Sequence, residues 1–304
     1  MGEKFNNVRG DLIYNHNLAR YTSWRVGGNA ERFYRPADLA DLQNFLAQLP
    51  PDEPLTCLGL GSNVLIRDGG IKGTVILTLN RLNKISFFKE KKDKRLMIRA
   101  ESGVTCSKLA KFCAEQGLEE SAFFAGIPGT IGGALVMNAG AFGGEIWRHV
   151  VHVKTVDHGG VLHKRRLDEF EINYREIYGL NNQFFVAGYF YFNQGDAIKA
   201  KKAISMLLKK RGSFQPIGAF SCGSVFRNPF GDYAARLIES AGLKGTRIGN
   251  AEISEKHANF ILNKGKANAS DIEHLIQYIA QRVYDTHGIQ LMKEIHILGN
   301  YEIV

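Results

Sequence analysis

The spacing of apolar and polar positions changes along this chain, and each change marks an element. Behind Pro36-Ala37-Asp38, the run LADLQNFLAQL (residues 39–49) repeats its apolar residues at helical spacing. Asp38 can cap that helix and Pro50-Pro51 can end it. From Thr56 to Leu79, short β-type runs alternate with glycine turns. Ile85 to Phe88 and Leu96 to Ala100 predict a hairpin whose charged tip, KEKKDK (residues 89–94), reads as a solvated turn. Thr105 to Gln116 predicts a helix stopped by Gly117. HVVHVKTV, the turn DHGG and VLHKRR predict a second hairpin, and FFVAGYFYF (residues 184–192) a further strand. Composition shifts at Asn193-Gln194-Gly195-Asp196, and AIKAKKAISMLLKKRG then reads as a basic amphipathic helix entering a second domain. Ser270 and Glu273 form a capping-box pattern ahead of the apolar stripe of DIEHLIQYIAQRVYDTH, which Gly288 terminates. A closing strand is expected over residues 289–298. No fixed-period repeat is visible, and the elements are segregated, so the class is α+β. The shift near residue 196 predicts two domains, 1–196 (lobes about 1–84 and 85–196) and 197–304.

Composition narrows the classes. Of 304 residues, 44% are apolar and 23% charged, which excludes disorder, collagen-like repeats and coiled coil. Lys plus Arg exceed Asp plus Glu by 39 to 30, a net +9 that suits nucleic acid or acidic small molecules without choosing between them. Cys57, Cys106, Cys113 and Cys222 include no C-x-x-C, which points to a reduced, cytosolic protein. Cys106 and Cys113 fall on one helix face, toward the core. The N-terminal residues lack the apolar stretch of a signal peptide. Residues 123–144 carry no charge over 22 positions, but seven glycines and a proline there suit a folded loop with exposed backbone better than a membrane span.

Four segments could carry chemistry. Gly59-Leu60-Gly61-Ser62-Asn63-Val64 begins like a dinucleotide fingerprint, but Val64 replaces the third glycine and a strand and turn follow instead of a helix. It reads either as an anion-binding nest, with Ser62 and Asn63 as donors, or as a plain glycine turn. Gly126 to Ala141 has no Walker lysine. Its glycines suit close backbone approach to a large, flat, partly apolar ligand with phosphates, such as a flavin dinucleotide, or else a packing loop. Ser224, Arg227 and Asn228 set a hydroxyl, a cation and an amide within five residues, enough to hold an acidic ligand and offer a proton, or to form two simple turns. Alternation over the terminal strand puts Met292, Glu294, His296 and Leu298 on one face. That makes Glu294 either a carboxyl with a raised pKa or an edge carboxylate facing water. There is no G-x-S-x-G elbow and no obvious His partner for Cys222, which argues against a hydrolase. The other histidines lack metal-ligand grouping, so no metal is expected.

In order along the chain, Tyr21-Thr22-Ser23-Trp24-Arg25-Val26-Gly27-Gly28, Gly59 to Leu65, Gly126 to Ala141, Tyr174-Arg175-Glu176, Gly223 to Pro229, Ala241 to Gly245, His257-Ala258-Asn259-Phe260 and Leu291 to Ile295 resemble the UDP-N-acetylenolpyruvoylglucosamine reductase family. The resemblance implies a two-lobed FAD-binding domain of the vanillyl-alcohol and p-cresol flavoenzyme type over 1–196. A C-terminal α/β substrate-binding domain would occupy 197–304. It also implies a cytoplasmic enzyme of peptidoglycan precursor synthesis, using FAD and NADPH to reduce UDP-N-acetylglucosamine enolpyruvate. Carried onto matching positions, Arg175, Ser224 and Glu294 would be catalytic: a clamp on the substrate carboxylate, a proton donor and a second hydrogen-bond donor. Gly59, Gly61, Ser62, Asn63, Val64, Leu65, Gly126, Pro128, Gly129, Gly132, Gly133, Asn138, Ala139 and Gly140 would hold FAD, and Arg227 and Asn228 the sugar nucleotide. The chain departs from the family pattern in lacking the tyrosine-bearing lid insertion between Phe192 and Ser221. It also has Gly218-Ala219-Phe220 before Ser221 where a proline is more usual, and His296 where Arg or Lys often stands. A sugar or lactone oxidase on the same fold would leave the C-terminal motifs unexplained, and Gly59 to Asn63 offers no His for a covalent flavin link. A nucleic-acid-binding protein rests only on charge and the 196–211 helix. No nucleic-acid partner and no membrane insertion are expected.

Overall fold

The computed structural model describes residues 5–89 and 96–302, so the charged tip at 89–94 lies, apart from Lys89, outside the described residues. By its internal contacts the chain divides into two units. One comprises the chain up to Ile13, Phe33–Leu60 and Gly73–Lys210; the other comprises Tyr14–Arg32, Gly61–Lys72 and the chain from Arg211. Both are discontinuous in sequence, a feature that composition does not display.

The first unit is built on a five-stranded antiparallel sheet. Met97–Glu101 pairs with Ile85–Phe88 on one side and Phe184–Phe190 on the other, and Val150–Val156 joins Phe184–Phe190 to Leu162–Arg166. Both predicted hairpins therefore belong to one sheet, with Phe184–Phe190 between them. The helix Cys106–Glu115 begins where the Thr105 hydroxyl accepts from Lys108 N, and it buries Cys106, Leu109, Ala110 and Cys113 along one face. Those residues join Ile98, Phe124, Leu135 and Phe190 in the core beneath the sheet. The basic helix Ala197–Phe214 turns Ala200 and Ile204 into the same core and leaves its lysines outside. A smaller core packs Tyr34, Leu42, Phe45 and Leu46 around the helix Leu39–Leu46, which Asp38 caps by accepting from Asp41 N. That helix ends before the prolines because Gln48 and Leu49 already bond three residues back, to Phe45 and Leu46 carbonyls.

The second unit has its own core, with Trp24, Val26, Leu65, Val225, Phe226, Ile253, Ile261, Ile276 and Ile279 among its members. Trp24 ties an N-terminal excursion into it: the indole N–H donates to Ile261 O at 2.8 Å, and Asn263 Nδ2 donates to Trp24 O at 2.8 Å. The helix Ala269–His287 ends at Gly288 in the left-handed conformation (φ 67°), as expected. Its capping box is not Ser270 with Glu273 but Asn268 with Asp271, two residues earlier. Glu273 lies on the buried face instead, where Arg67 grips it with two bonds, Nε–Oε2 2.9 Å and Nη2–Oε1 2.8 Å. The closing strand is also shorter than the alternation suggests. Only His296–Leu298 forms a strand, parallel to Val64–Ile66, while Lys293 makes an isolated antiparallel bridge with Phe226. Leu291 and Ile295 are buried, Met292, Lys293 and His296 are exposed, and Glu294 is half-buried. The segment changes partners midway, so a single ladder cannot run its length.

The Arg67–Glu273 pair carries a pH signature. Arg67 holds the Glu273 carboxyl below its ordinary range, and Tyr301 helps. A depressed carboxyl pKa contributes stability that is present above the unfolded-state value and lost as pH falls through the folded one. Glu273→Gln should destabilise the protein by about 2–3 kcal/mol at neutral pH, between an exposed and a fully buried pair. Urea unfolding of both proteins should show the gap closing below about pH 4.

Candidate active site

In the first unit, the second glycine segment, expected as a folded loop with exposed backbone, contains helical turns. A 3-10 stretch, Glu119–Gly126, leads through Ile127-Pro128-Gly129 into a short helix, Ile131–Val136, capped by buried Thr130. Gly129 O accepts from Cys106 N at 2.9 Å and Gly132 N donates to Ser102 O at 2.9 Å, so the segment is stitched to the main core. Two of its glycines answer to the protein itself: a Cβ at Gly126 would strike Phe142, and one at Gly132 would strike Ser102. Pro128 and Gly133 are exposed, with no atom closer to a Gly133 Cβ than Thr130 Oγ1 at 3.7 Å.

The turn joining Glu171–Asn173 to Glu176–Tyr178 carries Arg175. Arg175 sits in the left-handed region (φ 60°), and its guanidinium donates to Gly140 O at 3.1 Å and Asn138 O at 3.4 Å. Asn138 is buried and also left-handed (φ 39°), and its Nδ2 donates to Asn173 O at 3.0 Å. Two non-glycine residues in that region cost about 1 kcal/mol or more each, and such strain gathers at functional sites. The structure thus brings Arg175, Asn138 and Gly140 together, with the guanidinium oriented by carbonyl oxygens of the glycine segment. Ala139 N bonds back to Ala134 O within that segment. Gly59, also in this unit, has no room for a Cβ, which would overlap the Thr130 hydroxyl.

In the second unit, Val225 to Arg227 is held like the middle strand of a sheet. Glu294 N donates to Val225 O at 2.7 Å and Arg227 N donates to Met292 O at 2.9 Å. Ser224 and Glu294, both half-buried, therefore lie one rung apart. Asn63 joins them, its Nδ2 donating to Glu294 O at 3.1 Å and its carbonyl accepting from His296 N at 3.0 Å. Arg227 is half-buried. Asn228 is exposed, and its Oδ1 accepts from Ala234 N at the start of the helix Ala234–Ser240. Val64 and Leu65 are strand residues, and Leu65 is wholly buried in the core. The Cys222 thiol, buried and donating to Gly61 and Val64 carbonyls, is pushed up to about 12 by desolvation, which leaves it unreactive.

Each unit's glycine segment, taken by itself, offers groups that suit a phosphate-bearing flavin. Among the described residues, the backbone amides of Gly61, Ser62 and Asn63 donate to no acceptor, and Asn138 Oδ1 is a buried acceptor with no donor. An unpaired buried acceptor such as Asn138 Oδ1 costs about 1–3 kcal/mol, which a donor from a ligand would offset. A cavity of about 570 Å³ lined by Lys84, Arg99, Lys108 and Lys111 contains none of the residues predicted from sequence. Among the described residues no His, Cys, Asp or Glu cluster could hold a metal, and no helix is long and apolar enough to cross a membrane. Sequence reading missed the roles of Thr130, Asn259 and Trp24. Trp24 and Asn259 stand inside motifs that carried the resemblance, but a motif does not say which of its side chains bond to backbone.

Gly61 offers a direct check. Its φ is 67° and a Cβ would overlap the Tyr21 carbonyl. Gly61→Ala should cost about 2–4 kcal/mol in thermal or urea unfolding, combining left-handed strain with the backbone shift it forces.

Known proteins resemble this chain over most of its length. A family model described as FAD binding domain matches residues 30–165, and one described as UDP-N-acetylenolpyruvoylglucosamine reductase, C-terminal domain, matches 215–298. The UDP-N-acetylenolpyruvoylglucosamine reductase of Coxiella burnetii (strain Dugway 5J108-111) is 69% identical over 98% of each chain. That of Alkalilimnicola ehrlichii is 53% identical over 95% of each. Among solved structures, the UDP-N-acetylenolpyruvylglucosamine reductase of Thermus caldophilus aligns with TM-score 0.78 and 28% identity, covering 96% of this chain and 99% of that one.

Proposed function

Because this chain belongs to the UDP-N-acetylenolpyruvoylglucosamine reductase family, we propose that Arg175, Ser224 and Glu294 divide the charge and proton handling of its reaction. The protein is an FAD-dependent oxidoreductase that uses NADPH to reduce UDP-N-acetylglucosamine enolpyruvate to UDP-N-acetylmuramate in peptidoglycan precursor synthesis. When bound, FAD supplies hydride transfer from NADPH to the terminal carbon of the enol ether. The protein must then manage the negative charge that grows on the adjacent carbon and its carboxylate.

Arg175 suits the carboxylate because a guanidinium stays charged and its planar fork can meet both oxygens. Its contacts to Gly140 and Asn138 carbonyls preset the fork. Ser224 gives its hydroxyl proton to the carbanion carbon, so that hydride and proton together complete the addition of H₂. Glu294, in its acid form, donates a hydrogen bond to the same developing charge. The observation that supports this reading is the bond from Glu294 N to Val225 O, which brings Glu294 to the residue that follows Ser224. Gly59 to Leu65 and Gly126 to Gly140 cradle FAD, while Arg227 and Asn228 contact the sugar nucleotide. FAD binding extends to residue 196 and substrate binding occupies 197–304, a span that contains the matched reductase domain. A route through NADPH and a nucleotide sugar supports a cytoplasmic location, and the net charge of +9 suits pyrophosphate-bearing ligands.

Anaerobic NADPH oxidation by FAD-replete protein tests the assignment, with and without UDP-N-acetylglucosamine enolpyruvate. The sugar nucleotide should turn one flavin reduction into sustained turnover; a flavin that is reduced once and ignores the sugar would refute the substrate. Ser224→Ala should lower sugar reduction by about 10²–10⁴, the usual worth of a positioned proton donor, and leave flavin reduction by NADPH near wild type.

A further inference from the structure

Asn259 is buried, 3% exposed, and both ends of its side-chain amide are engaged by one residue of the strand beside it. Oδ1 accepts from Phe226 N at 2.9 Å and Nδ2 donates to Phe226 O at 2.8 Å. Its own carbonyl accepts from Val225 N at 2.9 Å. A primary amide has the same donor and acceptor pair as a peptide group, so this side chain stands in for a neighbouring strand. On the opposite edge, Glu294 N and Met292 O take the outward groups of Val225 and Arg227. Between these two edges, the N–H and C=O of Val225, both groups of Phe226 and the N–H of Arg227 are all satisfied. The strand has no free backbone group with which to slide or twist over that stretch.

Ser224 stands immediately before this clamped stretch. Gly223, next to it, is left-handed (φ 73°) and a Cβ there would meet nothing within 4 Å; beyond it Cys222 is buried, with its thiol on the Gly61 and Val64 carbonyls. We infer that Asn259 is a positioning residue of the reaction: its side-chain amide holds Val225 to Arg227 so that Ser224, the residue before them, keeps a fixed backbone position. This rests on the role proposed above for Ser224. Proton transfer is sensitive to placement, because a donor must reach the accepting atom within hydrogen-bond distance.

Asn259→Leu keeps the branched shape of the side chain and removes both bonds. It should speed hydrogen exchange of the Phe226 amide and lower sugar reduction tenfold or more, while flavin reduction by NADPH stays within twofold of wild type. The deciding measurement is a double-mutant cycle with Ser224→Ala. If Asn259 acts through Ser224, its substitution should cost less than twofold once Ser224 is gone. An equal loss in both backgrounds would mean a purely structural role and would overturn the inference, as would an unchanged rate in Asn259→Leu alone. Asn259→Asp keeps the Oδ1 acceptor and serves for the same cycle, with the same criteria, if the leucine variant does not fold. Should Ser224→Ala itself retain the wild-type rate, the Ser224 assignment fails first and this inference with it.

Discussion

A single backbone bond, Glu294 N to Val225 O at 2.7 Å, joins parts of the second unit that are far apart in sequence, and much of that unit is arranged around it. Loop closure over such distances is costly, and it is offset only when many contacts form together. Here they do. Asn63 bonds to Glu294 and His296, Val64–Ile66 runs parallel to His296–Leu298, and Trp24 and Asn263 bind each other's neighbourhood through an indole and an amide. Removing the Trp24 indole or the Asn263 amide would leave a buried polar group unpaired.

Polar side chains buried among apolar ones give this unit its specificity. Asn259, Asn263 and Glu273 each sit where a leucine could fill the volume, and each instead terminates a particular backbone or charged group. The first unit uses the same device at Asn138, whose carbonyl and side chain tie the glycine segment to the hairpin bearing Arg175. Hydrophobic burial alone would tolerate several registers of these short strands; a buried amide tolerates one.

The glycine segments show how one composition serves two ends. Gly126 and Gly132 are small because Phe142 and Ser102 occupy the space a side chain would need. Gly61 satisfies a left-handed turn, and with Ser62 and Asn63 it leaves three successive amides without acceptors. Of the alternatives left open by the sequence, packing is realised at Gly126 and Gly132, while the amides from Gly61 to Asn63 stand open to an acceptor.

Elements governed by local spacing were legible from the chain itself. The helices around Leu42, Leu109 and Ile276 and both first-unit hairpins followed from period and caps, because neighbouring residues decide them. The resemblance pointed to Arg175, Ser224 and Glu294 as residues, but not to their supports. The cap of the long helix moved to Asn268 because Glu273 was claimed by Arg67, a partner 206 positions away. The terminal strand broke at Glu294 because its two halves pair with different segments, Phe226 and Val64–Ile66. Only the tertiary structure could decide these points. Hydrophobic period records which face of an element is buried, whereas the partner of a polar group is set by whatever distant chain packs against it.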